Sequence, residues 1–92
     1  MTTSSVKIEF TVSFNRRLKK LTPQVKNKFT NLIVLFSENP FHPRLKTHKL
    51  TGQLKNRYAF SITPNLKVIF KFIDNHQTAL LISVGSHDQV YR

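Results

Sequence analysis

The chain has 92 residues, no cysteine, and 15 Lys and Arg against four acidic residues, giving a formal net charge of +11 at pH 7. A chain of this length builds one modest core, so residues 1–92 are expected to form a single domain, and the missing thiols exclude a disulfide framework and a thiolate metal site. The charge points to a polyanion or an acidic protein as partner. The longest apolar runs, LIVLF and VIFKFI, are far too short to cross a bilayer, and the polar MTTSS start has no signal-like apolar region, so a cytoplasmic protein is expected.

The first element is VKIEFTV, whose strict alternation of Val6, Ile8, Phe10 and Val12 with Lys7, Glu9 and Thr11 predicts a half-buried strand. Ser13 is a plausible cap for a helix carrying Phe14, Leu18 and Leu21. Thr22 followed by Pro23 reads as the N-cap and first position of a second helix. Its stripe of Val25, Phe29, Leu32, Ile33 and Phe36 faces a core, and it stops before Pro40, which pushes Asn39 out of the helical region. Residues 40–52, with two prolines, two histidines and three cations, predict a surface loop that carries function.

Three strands follow: RYAFSIT, LKVIFKFI and TALLISV, joined by a Pro64–Asn65 turn and a DNHQ turn. Tyr58, Phe60, Ile62, Leu66, Val68, Phe70, Phe72, Leu80, Ile82 and Val84 share even parity, which sends them to the helix-covered side. The odd positions, including Arg57, Ser61, Thr63, Lys67, Lys71 and Ser83, make a cationic outer face. His87 joins that face if the last strand runs on without a bulge; Ile69 and Leu81 give the face an apolar floor. The predicted architecture is α+β in the order β-α-α-β-β-β, with a two-helix hairpin packed on one face of a mainly antiparallel four-stranded sheet.

No Gly-rich phosphate loop, carboxylate pair or nucleophile elbow is present, and the four histidines lack metal-ligand spacing, so no cofactor or metal is expected. What remains is histidine with arginine and lysine. RNA carries its own nucleophile, the ribose 2′-hydroxyl, so cutting it requires only a base for that proton, an acid for the departing 5′-oxygen and cations for the phosphate. His87, after GS at the end of a strand and beside Asp88, is the foremost candidate, set against an ordinary surface histidine. His48, flanked by Lys46 and Lys49, follows. His42 is expected to pack or cap, and His76, in a turn, to be inert. Tyr91 either stacks on a base or closes the core edge. Arg57, Arg44, Lys55, Lys67 and Lys71 are phosphate contacts or solvated charges.

The order of elements, the stretch HKLTGQLKNRYAFSI, the strand LKVIFKF and the final VGSHDQVY together resemble the RelE superfamily of bacterial toxins, in particular its YafQ-like branch. The resemblance covers nearly the whole chain and is strongest from His48 onward. It implies a toxin of a type II toxin-antitoxin pair that acts as a metal-free, ribosome-dependent endoribonuclease. Such a toxin enters the ribosomal A site against 16S rRNA, cleaves mRNA there to leave a cyclic phosphate, and is silenced by an acidic antitoxin in a hetero-oligomer.

Carried over by position, His48 matches the histidine before LTG, His87 the near-terminal histidine and Tyr91 the closing aromatic. His87 is then the general acid and His48 the general base, or the reverse. Lys46, Lys49, Lys55, Arg44, Arg57, Lys67 and Lys71 hold RNA. Ser61 and Asn65 depart from the pattern, standing where the branch has a second histidine and an aspartate, and Leu66 replaces its aromatic. Either the two remaining histidines do the acid and base work together or catalysis is weaker than the family norm. Two other functions fit this class of fold: a ParE-like inhibitor of DNA gyrase, and a non-catalytic RNA- or ribosome-binding module.

Overall fold

A computed structural model describes residues 5–52 and 56–91; of the candidate residues above, Lys55 lies outside them. The elements are β1 (Lys7–Phe10), α1 (Val12–Lys19), α2 (Pro23–Glu38), a 3-10 turn (Pro43–Leu45), β2 (His48–Lys49), β3 (Tyr58–Thr63), β4 (Leu66–Ile73), β5 (Thr78–Gly85) and α3 (His87–Val90). The strand order is β1-β5-β4-β3-β2, with β1 parallel to β5 and the other neighbours antiparallel. The expected α+β layering holds, with five strands instead of four. The extra strand is β2, two residues long and therefore below any alternation signal, which forms inside the segment expected to be a loop.

Local chemistry sets the helix boundaries. Thr11, expected on the strand, is the N-cap of α1: its hydroxyl oxygen accepts from Phe14 N–H at 3.0 Å and its hydroxyl donates to Ile82 O at 2.9 Å. Ser13 therefore lies within the helix, and Val12 is exposed instead of lining the strand's apolar side. Thr22 caps α2, accepting from Val25 N–H at 3.2 Å with Pro23 at the first helical position, and α2 ends at Glu38 just before Asn39–Pro40. Phe29, Leu32 and Phe36 of its stripe are buried against the sheet. Phe36 meets Phe60 and Phe70 at ring-centroid distances of 5.0 and 4.8 Å, the second edge-on.

The even-parity rule holds in β3 as far as Ile62 and through β4, where Phe60, Ile62, Val68 and Phe70 belong to the core under the helices; past a shift of register at Ile62, Thr63, expected on the outer face, pairs with Leu66. It fails in β5. Ile69 pairs with Ser83 but Phe70 pairs with Leu81, so Ile82 is an extra, bulged residue and the strand inverts its faces there. Ala79 and Leu81 thus enter the helix-side core, whereas Leu80, opposite Lys71, lies on the outer face. The freed carbonyl of Ile82 is the one that Thr11 uses.

A second buried cluster, Leu50, Ala59, Ile69 and Val90 with Tyr91 packed on it, lies on that outer face. It is the apolar floor expected from Ile69, and α3 is the element that covers it. Val90 and Tyr91 are therefore held against the sheet: β5 stops at Gly85, and His87 opens a helix instead of continuing the strand.

Candidate functional site

Helix α3 has only four residues, too few to persist without tertiary support, and two devices hold it. One is Val90, buried in the outer-face cluster. The other is a capping box: Ser86 N–H donates to Gln89 Oε1 at 2.8 Å, and Gln89 N–H donates to Ser86 Oγ at 3.3 Å. Gly85 makes room for it, since a Cβ there would stand 2.6 Å from Gln89 Oε1 and 3.1 Å from Arg17 Nη1.

His87 at the first position of α3 is presented to solvent, with its ring 4.3 Å from that of Tyr91 in an edge-on arrangement. Its Nδ1 is 3.8 Å from Asp88 Oδ1, but both side chains are largely exposed, so this pair orients His87 only weakly. Tyr91 is half-buried on the cluster, and burial pushes its phenol up from 10.0; the ring is uncharged at neutral pH.

His48 is brought to the same side by the register of β2. It stands opposite Ala59, which pairs with Ile69, which pairs with Ser83, and directly paired residues share a sheet face. Leu50, two residues on, enters the outer-face cluster beside Val90. The His48 ring Nδ1 lies 3.2 Å from Lys46 O. A carbonyl only accepts, so in neutral His48 the proton sits on Nδ1 and Nε2 is the free, proton-accepting nitrogen.

Between α2, the 3-10 turn and the β3–β4 turn opens a cleft of ≈ 420 Å³ whose lining includes Lys28, Arg44, Lys46, Ser61 and Lys67 and, among the described residues, no acid. Lys67 Nζ donates to Ser61 Oγ at 2.8 Å, so Ser61 positions a cation and offers no titrating group. Lys46 reaches the cleft from a left-handed conformation, φ 55°, that ends the 3-10 turn. Lys71 lies on the outer face opposite Leu80, and Arg57 is half-buried at the entry to β3. Lys49, by contrast, pairs with Tyr58 and belongs to the opposite, helix-facing side. His42 caps the 3-10 turn, its Nδ1 accepting from Arg44 N–H at 3.1 Å. The His76 ring lies 4.7 Å from that of Phe72, tilted against it. Asn65 is exposed in the β3–β4 turn, its N–H donating to Thr63 Oγ1 at 3.3 Å.

Two residues of this region escape a linear reading. Lys28 is one of two lysines on α2, and only the tertiary fold carries it to the cleft. Gln89 did leave a trace, the S-x-x-Q spacing of Ser86 to Gln89, which is a capping-box pattern. Among the described residues, no three His, Cys, Asp or Glu side chains gather to hold a metal ion.

The fold is shared with solved toxins. YafQ from Escherichia coli BL21(DE3) superposes with a TM-score of 0.76 at 22% identity, over 95% of this chain and 99% of that one. YafQ in the E. coli DinJ–YafQ toxin-antitoxin complex gives 0.75 at 22%, over 96% and 99%. The RelBE2 toxin-antitoxin complex of Mycobacterium tuberculosis gives 0.75 at 19%, over 90% and 99%. No curated protein is significantly similar to the chain in sequence. The fold is thus that of the RelE-like toxins. Within that class the chain belongs to the YafQ family, whose model, described as the bacterial toxin of type II toxin-antitoxin systems, YafQ, matches residues 6–92.

Proposed function

We propose that this toxin is a ribosome-dependent endoribonuclease that cuts mRNA in the A site by acid and base catalysis. His48 Nε2 takes the proton of the ribose 2′-hydroxyl, and the 2′-oxygen attacks the adjacent phosphorus. The bond from phosphorus to the 5′-oxygen breaks, and His87 gives that oxygen its proton, leaving a 2′,3′-cyclic phosphate and a 5′-hydroxyl. Arg44, Lys46 and Lys67, from the cationic cleft, balance the charge that grows on phosphorus. Tyr91, neutral and edge-on to His87, offers a surface for a base. Ser61 and Asn65 cannot exchange protons at neutral pH, so the two histidines divide the work. The reading is carried by one observation: His48 and His87 border the same outer-face cluster of Leu50, Ala59, Ile69 and Val90.

The partner in the cell is an acidic antitoxin, a reading supported by the net charge of +11 and by the antitoxin complexes of related toxins. The domain is single, and among the described residues no helix is long and apolar enough to cross a membrane.

The test is primer extension on programmed ribosomes. Wild type cuts within the A-site codon, and His87→Ala binds ribosomes but does not cut. Absence of cleavage at every codon would overturn the proposal, as would DNA breaks without messenger loss in arrested cells.

A further inference from the structure

The β2 edge separates two different surfaces. His48 faces the outer side, and its neighbour Lys49 faces the other, where it pairs with Tyr58. There Lys49, Asn56, Tyr58, Phe72 and His76 line a second cleft of ≈ 340 Å³. Its lining is largely aromatic: Tyr58 meets Phe72 at 5.3 Å and His76 meets Phe72 at 4.7 Å in a tilted arrangement, while Phe41, outside the lining, packs against it, 5.7 Å from Tyr58 and 6.0 Å from Phe72. Phe41 is 52% exposed although its partners are half-buried. The β4–β5 turn that carries His76 runs through three consecutive positive-φ residues, Asp74, Asn75 and His76. The acid among them is engaged with its own turn, accepting from Thr78 Oγ1 at 3.5 Å.

Exposed rings beside a cation and an amide are the chemistry of a single-stranded nucleic-acid subsite: the rings stack on bases, Lys49 meets a phosphate and Asn56 reads an edge. A purely apolar protein segment would leave Lys49, Asn56 and His76 without partners. We propose that this cleft is a second RNA subsite, in which one nucleotide of the strand leaving the His48 side passes over the β2 edge and stacks on Phe41 and His76. The proposal rests on the reading that RNA is the substrate, and it gives Lys49 a role on the face where it lies.

The test uses a fluorescently labelled single-stranded RNA with 2′-O-methyl riboses, which binds but cannot be cut by attack of a 2′-hydroxyl. Anisotropy titrations compare wild type with Phe41→Ala, His76→Ala and Lys49→Glu, each checked for folding by circular dichroism. Loss of one stacked base predicts at least about a fivefold weaker complex for Phe41→Ala, and 5-iodouracil RNA should crosslink to Phe41 or His76. Unchanged affinity in all three folded variants would overturn the subsite. So would loss of antitoxin binding in Phe41→Ala with RNA affinity intact, which would assign the rings to the protein partner. Cleavage on ribosomes, assayed separately with His87→Ala, decides the nuclease reading, so either idea can fail alone.

Discussion

Replacing Gly85 by alanine tests whether the short terminal helix is what holds His87 in place. The added Cβ would fall 2.6 Å from Gln89 Oε1 and 3.1 Å from Gln89 Cβ, so the Gln89 amide must leave its position. Ser86 N–H then loses its 2.8 Å acceptor and the capping box opens. Loss of a cap costs about 0.5–2 kcal/mol, and the remaining Cβ contact adds a few tenths, giving about 1–2 kcal/mol. The cost falls on residues 86–91, because Phe14, Phe36, Phe60 and Phe70 of the main core are untouched. The local opening equilibrium should therefore rise by about 5- to 30-fold. Hydrogen exchange reads it directly at Val90 and Tyr91, whose amides bond to Ser86 O and His87 O at 3.0 Å each. Faster exchange at these two amides, with core amides unchanged and cleavage reduced, is the expected result. Unchanged protection at Val90 and Tyr91 would refute the reasoning, and so would full activity in a variant whose terminal helix has opened.

Phe36→Ala removes a fully buried ring that contacts Phe60 and Phe70, and should cost about 3–5 kcal/mol in a urea titration, enough to threaten folding of a domain this small. Arg44→Ala and Lys67→Ala should each lower the slope of log affinity against log salt for single-stranded RNA by about 0.7, one phosphate contact apiece; an unchanged slope would remove that residue from the RNA path. Tyr91 gives a pH signature. Its raised folded value means that the unfolded state loses the phenolic proton first, so its stabilising share is complete below pH 10.0 and is lost as pH climbs through the folded value. Denaturation between pH 9 and 11 should show wild type losing more stability than Tyr91→Phe.

Signals local to the chain survived into the structure, and those that depend on distant partners did not. Thr22–Pro23 and Asn39–Pro40 bound α2 because a cap and a proline act within one turn. The alternation in β3 and β4 survived because both strands have one face on the helices. In β5 the same alternation misled: Thr11 takes up the Ile82 carbonyl from across the fold, and the bulge that accompanies this sends Leu81 inward and Leu80 outward. The parallel pairing of β1 with β5 joins segments about seventy residues apart, for which neither strand carries a mark. Residue type and neighbours single out His48 and His87 as candidates, but their placement on one side of the sheet depends on the register of β2 and on the helix that Val90 anchors. The opposite facing of Lys49 needed the register of a two-residue strand, and the contribution of Lys28 needed α2 laid beside the 3-10 turn.

In the proposed mechanism His48 takes the 2′-hydroxyl proton and His87 protonates the leaving oxygen. A messenger with sulfur in place of the scissile 5′-oxygen carries a leaving group that departs without a proton, and its single-turnover cleavage on ribosomes tests that mechanism most directly. This substrate should restore His87→Ala to nearly the wild-type rate and leave His48→Ala as slow as before. Rescue of His48→Ala instead, or of neither variant, would contradict the mechanism.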